Sequence, residues 1–276
     1  MQVLNTIDAV REWRAGSESV GLVPTMGNLH AGHLALVAAA RERCDRVIAS
    51  IFVNPLQFGP NEDLATYPRT FDADRAALAH AGADAVFVPS VDEMYPEGGS
   101  ATTVDVSGIT EMLCGRSRPG HFRGVATVVN KLFNIVQPDA AFFGEKDYQQ
   151  LAVIKRMVAD LCMDVAVEGV PTVRDADGLA YSSRNNYLDN AQRRQALALS
   201  AAIADVVERL AAGQRDFRAL EARGWAQLVD GGFDPDYFEI RAADLGPAER
   251  DTSSFRVLAA GHLGRTRLID NMGVSV

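Results

Sequence analysis

The stretch Pro24-Thr25-Met26-Gly27-Asn28-Leu29-His30-Ala31-Gly32-His33 decides the reading of this chain. Before it lies Val20 to Pro24, a compact apolar run of strand character. After it, His30 to Cys44 is rich in Ala and Leu and reads as a helix. The order is therefore strand, glycine turn, helix. A helix N-terminus carries unpaired N–H groups and partial positive charge, which suit phosphate. His30 and His33, three apart, project from one face of the first turn. Gly32 between them adds no side chain, so a ligand can approach the backbone. Two imidazoles there can donate hydrogen bonds to a triphosphate as charge builds. Two plainer readings stay open. Histidines three apart can ligate a metal, although no third ligand is near in sequence, and they can be ordinary helix-surface residues.

The same grammar extends outward. Arg46 to Val53, Ala83 to Pro89, Asp139 to Phe143 and Asp164 to Val170 read as strands. Thr6 to Ala15, Thr70 to Ala81, His121 to Val136 and Asp147 to Cys162 read as helices. In the helix from His121, Val125, Val128, Val129, Leu132 and Phe133 fall at helical spacing. Such alternation, with continuous apolar strands, predicts an α/β fold: a Rossmann-like, mostly parallel sheet with helices on both faces. After about Val173 the pattern changes. Asn190 to Ala212 and Asp216 to Asp230 read as helices, and Tyr237 to Ala242, Phe255 to Ala260 and Thr266 to Ile269 as short strands. This segregated order predicts a smaller C-terminal α+β domain with a short antiparallel sheet. The turn Arg174-Asp175-Ala176-Asp177-Gly178 is the expected hinge, giving domains 1–173 and 174–276, the second acting as a lid.

In a doubly wound sheet, ligands bind beyond the carboxyl ends of the strands. Three stretches follow strands and are rich in useful side chains: Thr25–His33, Asn54–Phe58 and Gly144–Gln150. In the second, Asn54 and Gln57 offer neutral donors and acceptors beside apolar groups, suited to the hydroxyls and carboxylate of a small hydroxy acid. A structural loop amide is the plainer reading. In the third, Lys146 is a compact positive charge for phosphate oxygens. Asp147 suits Mg²⁺, which commonly takes one or two carboxylates plus substrate phosphates. A charged surface turn is the alternative. Further on, Tyr181-Ser182-Ser183-Arg184-Asn185 places two hydroxyls and a guanidinium together, good ligands for phosphate unless the string is only a turn.

Composition narrows the function classes. Of 276 residues, 47% are hydrophobic and 23% charged, the balance of a globular protein with a sizeable core. The net charge of −9 argues against a general nucleic-acid binder. Between Met112 and Pro138 there is no acid, while Arg116, Arg118, Arg123 and Lys131 fall there, which fits either a solvated face or a held anion. No apolar run is long enough to span a bilayer. Met1 to Arg14 reads as folded protein rather than a signal peptide. Cys44, Cys114 and Cys162 form no CxxC pair and fit reduced cytoplasmic thiols.

His-x-Gly-His after the first strand resembles the nucleotidyltransferase superfamily. The longer string Pro-Thr-Met-Gly-x-Leu-His-x-Gly-His is similar to the pantothenate synthetase family in particular. So are Phe143-Gly144-Glu145-Lys146-Asp147-Tyr148-Gln149-Gln150, the Gly178-Leu179-Ala180-Tyr181-Ser182-Ser183-Arg184-Asn185 segment, Arg116-Ser117-Arg118-Pro119-Gly120-His121-Phe122-Arg123-Gly124-Val125 and the closing Arg267-Leu268-Ile269-Asp270-Asn271. Tyr181 departs from the family's usual Met or Leu. The resemblance implies ATP-dependent condensation of pantoate with β-alanine through pantoyl adenylate, releasing AMP and pyrophosphate, by a cytoplasmic homodimer using Mg²⁺. It implies that Pro24, Met26, His30, His33, Gly144, Lys146, Asp147, Val173, Ser182, Ser183 and Arg184 surround ATP. His30, His33, Lys146, Ser182, Ser183 and Arg184 would act on the phosphates, and Asp147 would hold the metal. Pantoate would fall to Gln57, Gln150, Asn54, Arg118 and His121. No GxSxG elbow nominates a protein nucleophile. A cytidylyltransferase, a truncated synthetase and a non-catalytic nucleotide binder are the rival readings.

Overall fold

The computed structural model describes residues 1–60, 62 and 64–276. Contacts divide them into two compact units. Unit 1 comprises Met1–Glu145 and Val153–Pro171, and unit 2 comprises Lys146–Ala152 and Thr172–Val276.

The elements run in the order β1 (Gln2–Leu4), α1 (Ile7–Arg14), β2 (Val20–Thr25), α2 (Ala31–Arg43), β3 (Arg46–Ile51), α3 (Phe71–His80), β4 (Ala85–Phe87), α4 (Val91–Met94), α5 (Leu113–Ser117), α6 (His121–Val136), β5 (Ala140–Gly144), α7 (Tyr148–Asp160) and β6 (Ala166–Val170). Then follow α8 (Asn190–Gln195), α9 (Leu197–Ala211), α10 (Phe217–Asp230), β7 (Asp234–Ala242), β8 (Ser254–Leu263) and β9 (Thr266–Ser275). Single 3-10 turns at Pro55–Gln57, Glu145–Asp147 and Ser183–Tyr187 lie in the chemically rich segments.

In unit 1, six strands form a parallel sheet in the order β1-β4-β3-β2-β5-β6. The chain winds from β2 to β3 and β4 on one side, then crosses to β5 and β6 on the other. The switch point therefore lies between β2 and β5, the place where open α/β sheets take their ligands beyond the strand ends. Pairing of β2 with β5 is confined to Gly21↔Ala140 and Leu22↔Ala141, so the two strands part before β2 ends at Thr25. Val20–Val23, Val47–Ser50 and Ala140–Phe143 are buried throughout, as strands covered on both faces must be. On one face Leu36, Val37, Ala40 and Leu78 of α2 and α3 pack against Val23, Val47, Ala49, Val86 and Phe142. Within α6, Val125, Val128, Val129, Leu132 and Phe133 are buried, the stripe that the spacing predicts.

Unit 2 holds the antiparallel sheet β7-β8-β9. Its core joins Ile203, Val206 and Leu210 of α9, Leu220 and Leu228 of α10, and Phe238, Ile240, Phe255 and Val257 of the sheet. The structure adds detail to the sequence expectation at three places. The helix expected over Asn190 to Ala212 turns at fully buried Ala196, where the Leu199 N–H bonds the Ala196 carbonyl three residues back. β1 is a three-residue edge strand, too short and too exposed to show an apolar pattern. β9 runs to Ser275 rather than stopping at Ile269, because buried Asp270 and Asn271 interrupt its apolar alternation.

Candidate active site

The Pro24–His33 segment is built around a turn that few residues can make. Gly27 and Asn28 both adopt positive φ, 85° and 52°. A Cβ on Gly27 would stand 3.1 Å from Asp74 Oδ2 and 3.2 Å from Ile51 Cγ2. Asp74, on α3, is 3% exposed and explains the turn. Its carboxylate accepts from Asn28 N at 2.9 Å, Leu29 N at 2.8 Å and Thr70 Oγ1 at 3.1 Å. Thr25 Oγ1 accepts from Gly27 N at 3.2 Å and donates to the Ser50 carbonyl at 2.7 Å. The loop is thus tied to β3 and α3 before α2 begins.

The two histidines cap α2 reciprocally. Gly32 N donates to His30 Nδ1 at 3.2 Å, and His30 N donates to His33 Nδ1 at 3.3 Å. The ring centroids are 4.1 Å apart. A backbone N–H can only donate, so each Nδ1 must be the unprotonated acceptor. The proton of each neutral ring then sits on Nε2, at the far edge from the backbone. Both imidazoles are fixed as Nε2–H donors at the start of a helix beyond the end of β2. That is the polarity a phosphate oxygen needs.

A second group lies after β3. Asn54 caps the Pro55–Gln57 turn and is 1% exposed. Its Oδ1 accepts from Tyr95 Oη at 2.8 Å and Leu56 N at 3.3 Å. Its Nδ2 donates to Gln57 Oε1 at 3.1 Å and to the Gly124 carbonyl at 3.1 Å. Gln57 Nε2 then faces Met26 Sδ at 3.1 Å, which brings Gln57 beside the histidine loop. Burial pushes the Tyr95 phenol well above its ordinary value. Gly124 lets α6 lie directly on this turn, since a Cβ there would stand 2.3 Å from the Leu56 carbonyl oxygen and 2.6 Å from Gln57 N.

His121 reaches the same turn, and Arg118 holds His121. Arg118 forks onto Glu62, with Nε to Oε1 at 2.7 Å and Nη2 to Oε2 at 2.5 Å. Its Nη1 meets His121 Nε2 at 3.0 Å, and His121 Nδ1 meets the Gln57 carbonyl at 2.8 Å. A guanidinium only donates, so Nε2 of His121 accepts and Nδ1 donates to Gln57. For Glu62, burial raises the carboxyl, but the Arg118 hydrogen bonds and charge outweigh it and hold it below the ordinary range.

Unit 2 carries the remaining candidates apart from Pro24 and Gly144. Lys146 Nζ is 4.0 Å from Asp147 Oδ1, whose side chain is half exposed. The Lys146 carbonyl accepts from Asn271 Nδ2 at 2.9 Å. Asn271 is oriented in turn by Arg256 Nη1 at 3.0 Å, and the Arg256 guanidinium lies 3.7 Å over the Tyr148 ring. Beside it, buried Asp270 takes Arg174 in a bidentate pair at 2.7 and 2.8 Å. Asn271, whose own N–H donates to Asp270 Oδ1 at 2.8 Å, is therefore the residue that fixes the Lys146 backbone. Ser182 caps the Ser183–Tyr187 turn through Arg184 N at 3.3 Å, and Asn185 Nδ2 bonds the Ala180 carbonyl at 3.0 Å. Tyr181, the departure from the family pattern, donates to Asp175 Oδ1 at 2.8 Å, and Arg193 holds the other oxygen of Asp175. That bond to Asp175 raises the Tyr181 phenol. Val173 pairs its carbonyl with Tyr181 N at 3.1 Å. Pro24 sits in β2, Gly144 ends β5, and Gln150 is the third residue of α7.

Of the expected residues in unit 1, the structure gathers Met26, His30, His33, Asn54, Gln57, Arg118 and His121 into connected groups. Sequence reasoning passed over Asp74, Tyr95 and Glu62, and gave no role to Gly124 within the basic stretch. Two of these carried a signal. Asp74 is an acid one turn before Leu78, on the buried face of α3. Gly124 interrupts an apolar helix, where glycine costs about 1 kcal/mol relative to alanine unless close approach requires it. Among the described residues, no helix is long and apolar enough to cross a membrane.

The model of the family described as pantoate-beta-alanine ligase matches residues 2–273. A pantothenate synthetase of Pseudomonas putida is 57% identical over 278 residues, covering 98% of this chain and 97% of the relative. The crystal structure of pantothenate synthetase from Thermus thermophilus superposes with a TM-score of 0.92 at 49% identity, over 99% of each chain. A pantoate-beta-alanine ligase from Francisella tularensis, complexed with beta-gamma ATP and beta-alanine, gives 0.81 at 34% identity, over 99% and 97%.

Proposed function

The chain belongs to the pantoate-beta-alanine ligase family and joins pantoate to β-alanine with ATP, and we propose that it does so through a pantoyl adenylate. A carboxylate oxygen of pantoate attacks the α-phosphorus of ATP, and the bond to pyrophosphate breaks. The β-alanine amine then attacks the acyl carbon, the bond to AMP breaks, and the amine loses a proton as pantothenate forms. The substrate carboxylate is the nucleophile of the first step, so the protein's task is positioning and charge stabilisation.

The observation that carries this reading is the reciprocal histidine cap. Nδ1 of each ring is committed to the backbone, so His30 and His33 present Nε2–H to the phosphate oxygens without rotating. Lys146, Ser182, Ser183 and Arg184 hold further phosphate oxygens in the same reading, with Pro24, Met26, Gly144 and Val173 around the nucleotide. Gln57 and Gln150 bind pantoate. Asn54, Arg118 and His121 serve the pantoate subsite by holding Gln57: the four hydrogen-bonding positions of Asn54 are taken within the protein, and His121 grips the Gln57 carbonyl.

Mg²⁺ fits this donor set as an ion that arrives with ATP. Among the described residues no group of three or more His, Cys, Asp or Glu converges. One half-exposed carboxylate at Asp147 suits an ion that keeps waters and phosphate oxygens as its other ligands. When bound, the ion neutralises phosphate charge. A cytoplasmic setting belongs to the proposal, supported by buried thiols at Cys44 and Cys114. A homodimer belongs to it on family resemblance alone.

The test is pyrophosphate release from MgATP with pantoate and without β-alanine, followed by addition of the amine. Pantoate-dependent release, then AMP and pantothenate on adding β-alanine, is the expected result. Release that requires β-alanine from the outset would overturn the adenylate route.

A further inference from the structure

Tyr95 stands outside every motif of the sequence, yet it ends a chain of hydrogen bonds that reaches the pantoate amide. The residue follows α4 and is 1% exposed. Its ring lies 5.9 Å from Phe52, and the Lys131 ammonium sits 5.5 Å over its face. Its hydroxyl meets Asn54 Oδ1 at 2.8 Å.

The direction of every bond in the chain follows from groups whose polarity cannot change. Leu56 N–H only donates, and it points at Asn54 Oδ1. The Gly124 carbonyl only accepts, and it faces Asn54 Nδ2. The Asn54 amide therefore fits one way round, which removes the usual ambiguity of such a group. Tyr95 must then be the donor, and its protonated state agrees with a phenol raised by burial. Gln57 Oε1 must be the acceptor from Asn54 Nδ2. What remains of Gln57 is Nε2, which rests against Met26 Sδ, a weak acceptor. Its N–H groups stay available for a stronger one.

We propose that Tyr95 is a positioning residue of the pantoate subsite: its hydroxyl fixes Asn54, and Asn54 holds the Gln57 carbonyl so that Gln57 Nε2–H faces an oxygen acceptor of pantoate. The proposal rests on the reading that Gln57 binds pantoate. Without the hydroxyl, Asn54 Oδ1 keeps a single partner, the Leu56 N–H, at 3.3 Å, beyond the usual N–H···O range. The Asn54 side chain can then tilt, and Gln57 loses its fixed polarity.

Steady-state kinetics on the full chain, Tyr95→Phe, Gln57→Ala and the double variant form the test, with a thermal melt as the check on folding. Tyr95→Phe removes one oxygen and keeps the ring. Its pantoate KM is expected to rise about tenfold, the size of one lost hydrogen bond, while the KM values for ATP and β-alanine stay within about twofold. Gln57→Ala raises pantoate KM at least as much. On that background Tyr95→Phe should add nothing, because coupled residues do not contribute independently. If Gln57→Ala raises pantoate KM and Tyr95→Phe does not, the positioning role is overturned. An equal rise in both backgrounds overturns it too, since Tyr95 would then act without Gln57. If Gln57→Ala itself leaves pantoate KM unchanged, the assignment of Gln57 to pantoate fails, and the proposal with it. Should Tyr95→Phe be unstable, Asn54→Ala interrupts the same chain at its centre. A rise in pantoate KM that vanishes on the Gln57→Ala background supports the proposal, and an unchanged KM overturns it.

Discussion

Gly124→Ala offers the sharpest test, because two principles predict opposite signs for it. Gly124 lies inside α6, where alanine is favoured over glycine by about 1 kcal/mol. On helix propensity alone the variant is more stable than the parent. The contacts say otherwise. The new methyl would stand 2.3 Å from the Leu56 carbonyl oxygen, 2.5 Å from its carbon and 2.6 Å from Gln57 N. Comfortable contacts of a methyl carbon lie near 3.5 Å, so the Pro55–Gln57 turn and α6 must separate by about 1 Å. Forced overpacking of this kind costs about 1–3 kcal/mol, more than the propensity gain at its upper end. The Gly124 carbonyl also accepts from Asn54, so the shift strains the amide chain that holds Gln57. A displacement of about 1 Å in a substrate-positioning group can cost about 10²-fold in rate. The expected variant folds, melts earlier than the parent, and loses about 30- to 100-fold in kcat/KM for pantoate with ATP affinity little changed. Denaturant melts and steady-state kinetics with each substrate varied read both arms. A protein more stable than the parent, with unaltered kcat/KM for pantoate, would refute the close approach of α6 to the turn and the positioning argument with it.

Other expectations follow from the same geometry. His33→Ala should fold normally and lose roughly 10²–10³ in kcat, the scale for one transition-state donor; a folded variant with full kcat in a single-turnover assay would remove His33 from the chemistry. Asp74→Asn keeps the shape of the side chain but turns an NH₂ toward Asn28 N or Leu29 N. It should cost about 1–3 kcal/mol in a denaturant melt and lower kcat, because the loop that presents both histidines loses an acceptor. Glu62 has a folded pKa below its ordinary value near 4.3, so its pairing with Arg118 stabilises the protein above that value and the contribution is lost as pH falls through the lower folded value. Glu62→Gln should therefore destabilise at pH 7 and show a shallower loss of stability in acid melts, and parallel acid limbs for the two proteins would contradict the pairing.

The sequence marks the groups proposed to meet a ligand more readily than the groups that hold them, and the difference has a physical origin. His30, His33, Lys146 and Arg184 are polar side chains placed after strands or in turns, where a core has no use for them. Their position alone asks for an explanation. The parallel sheet was legible for a related reason: buried strands such as Val20–Val23 are short apolar runs without interruption, alternating with helical patterns. Tyr95 gave no such sign, since a buried tyrosine is ordinary until its partner is known, and Asn54, marked by its place after a strand, gave no sign of the bonds it makes. The bond between them spans 41 positions, and the one from Asn54 to Gly124 spans 70. No local pattern records a contact of that length. β9 shows the cost of reading by periodicity alone: Asp270 and Asn271 end the apparent strand at Ile269 because they face inward to seize Arg174 and the Lys146 carbonyl. The same breach, read as chemistry, points to the site. An acid on the buried face of α3, a glycine inside α6 and two polar residues in the heart of β9 each violate the local rule for their element. Each violation is costly alone, and in each case the offset is a contact that fixes a segment of the proposed site: the histidine loop through Asn28 and Leu29, Gln57 through its turn, and the Lys146 backbone through Asn271.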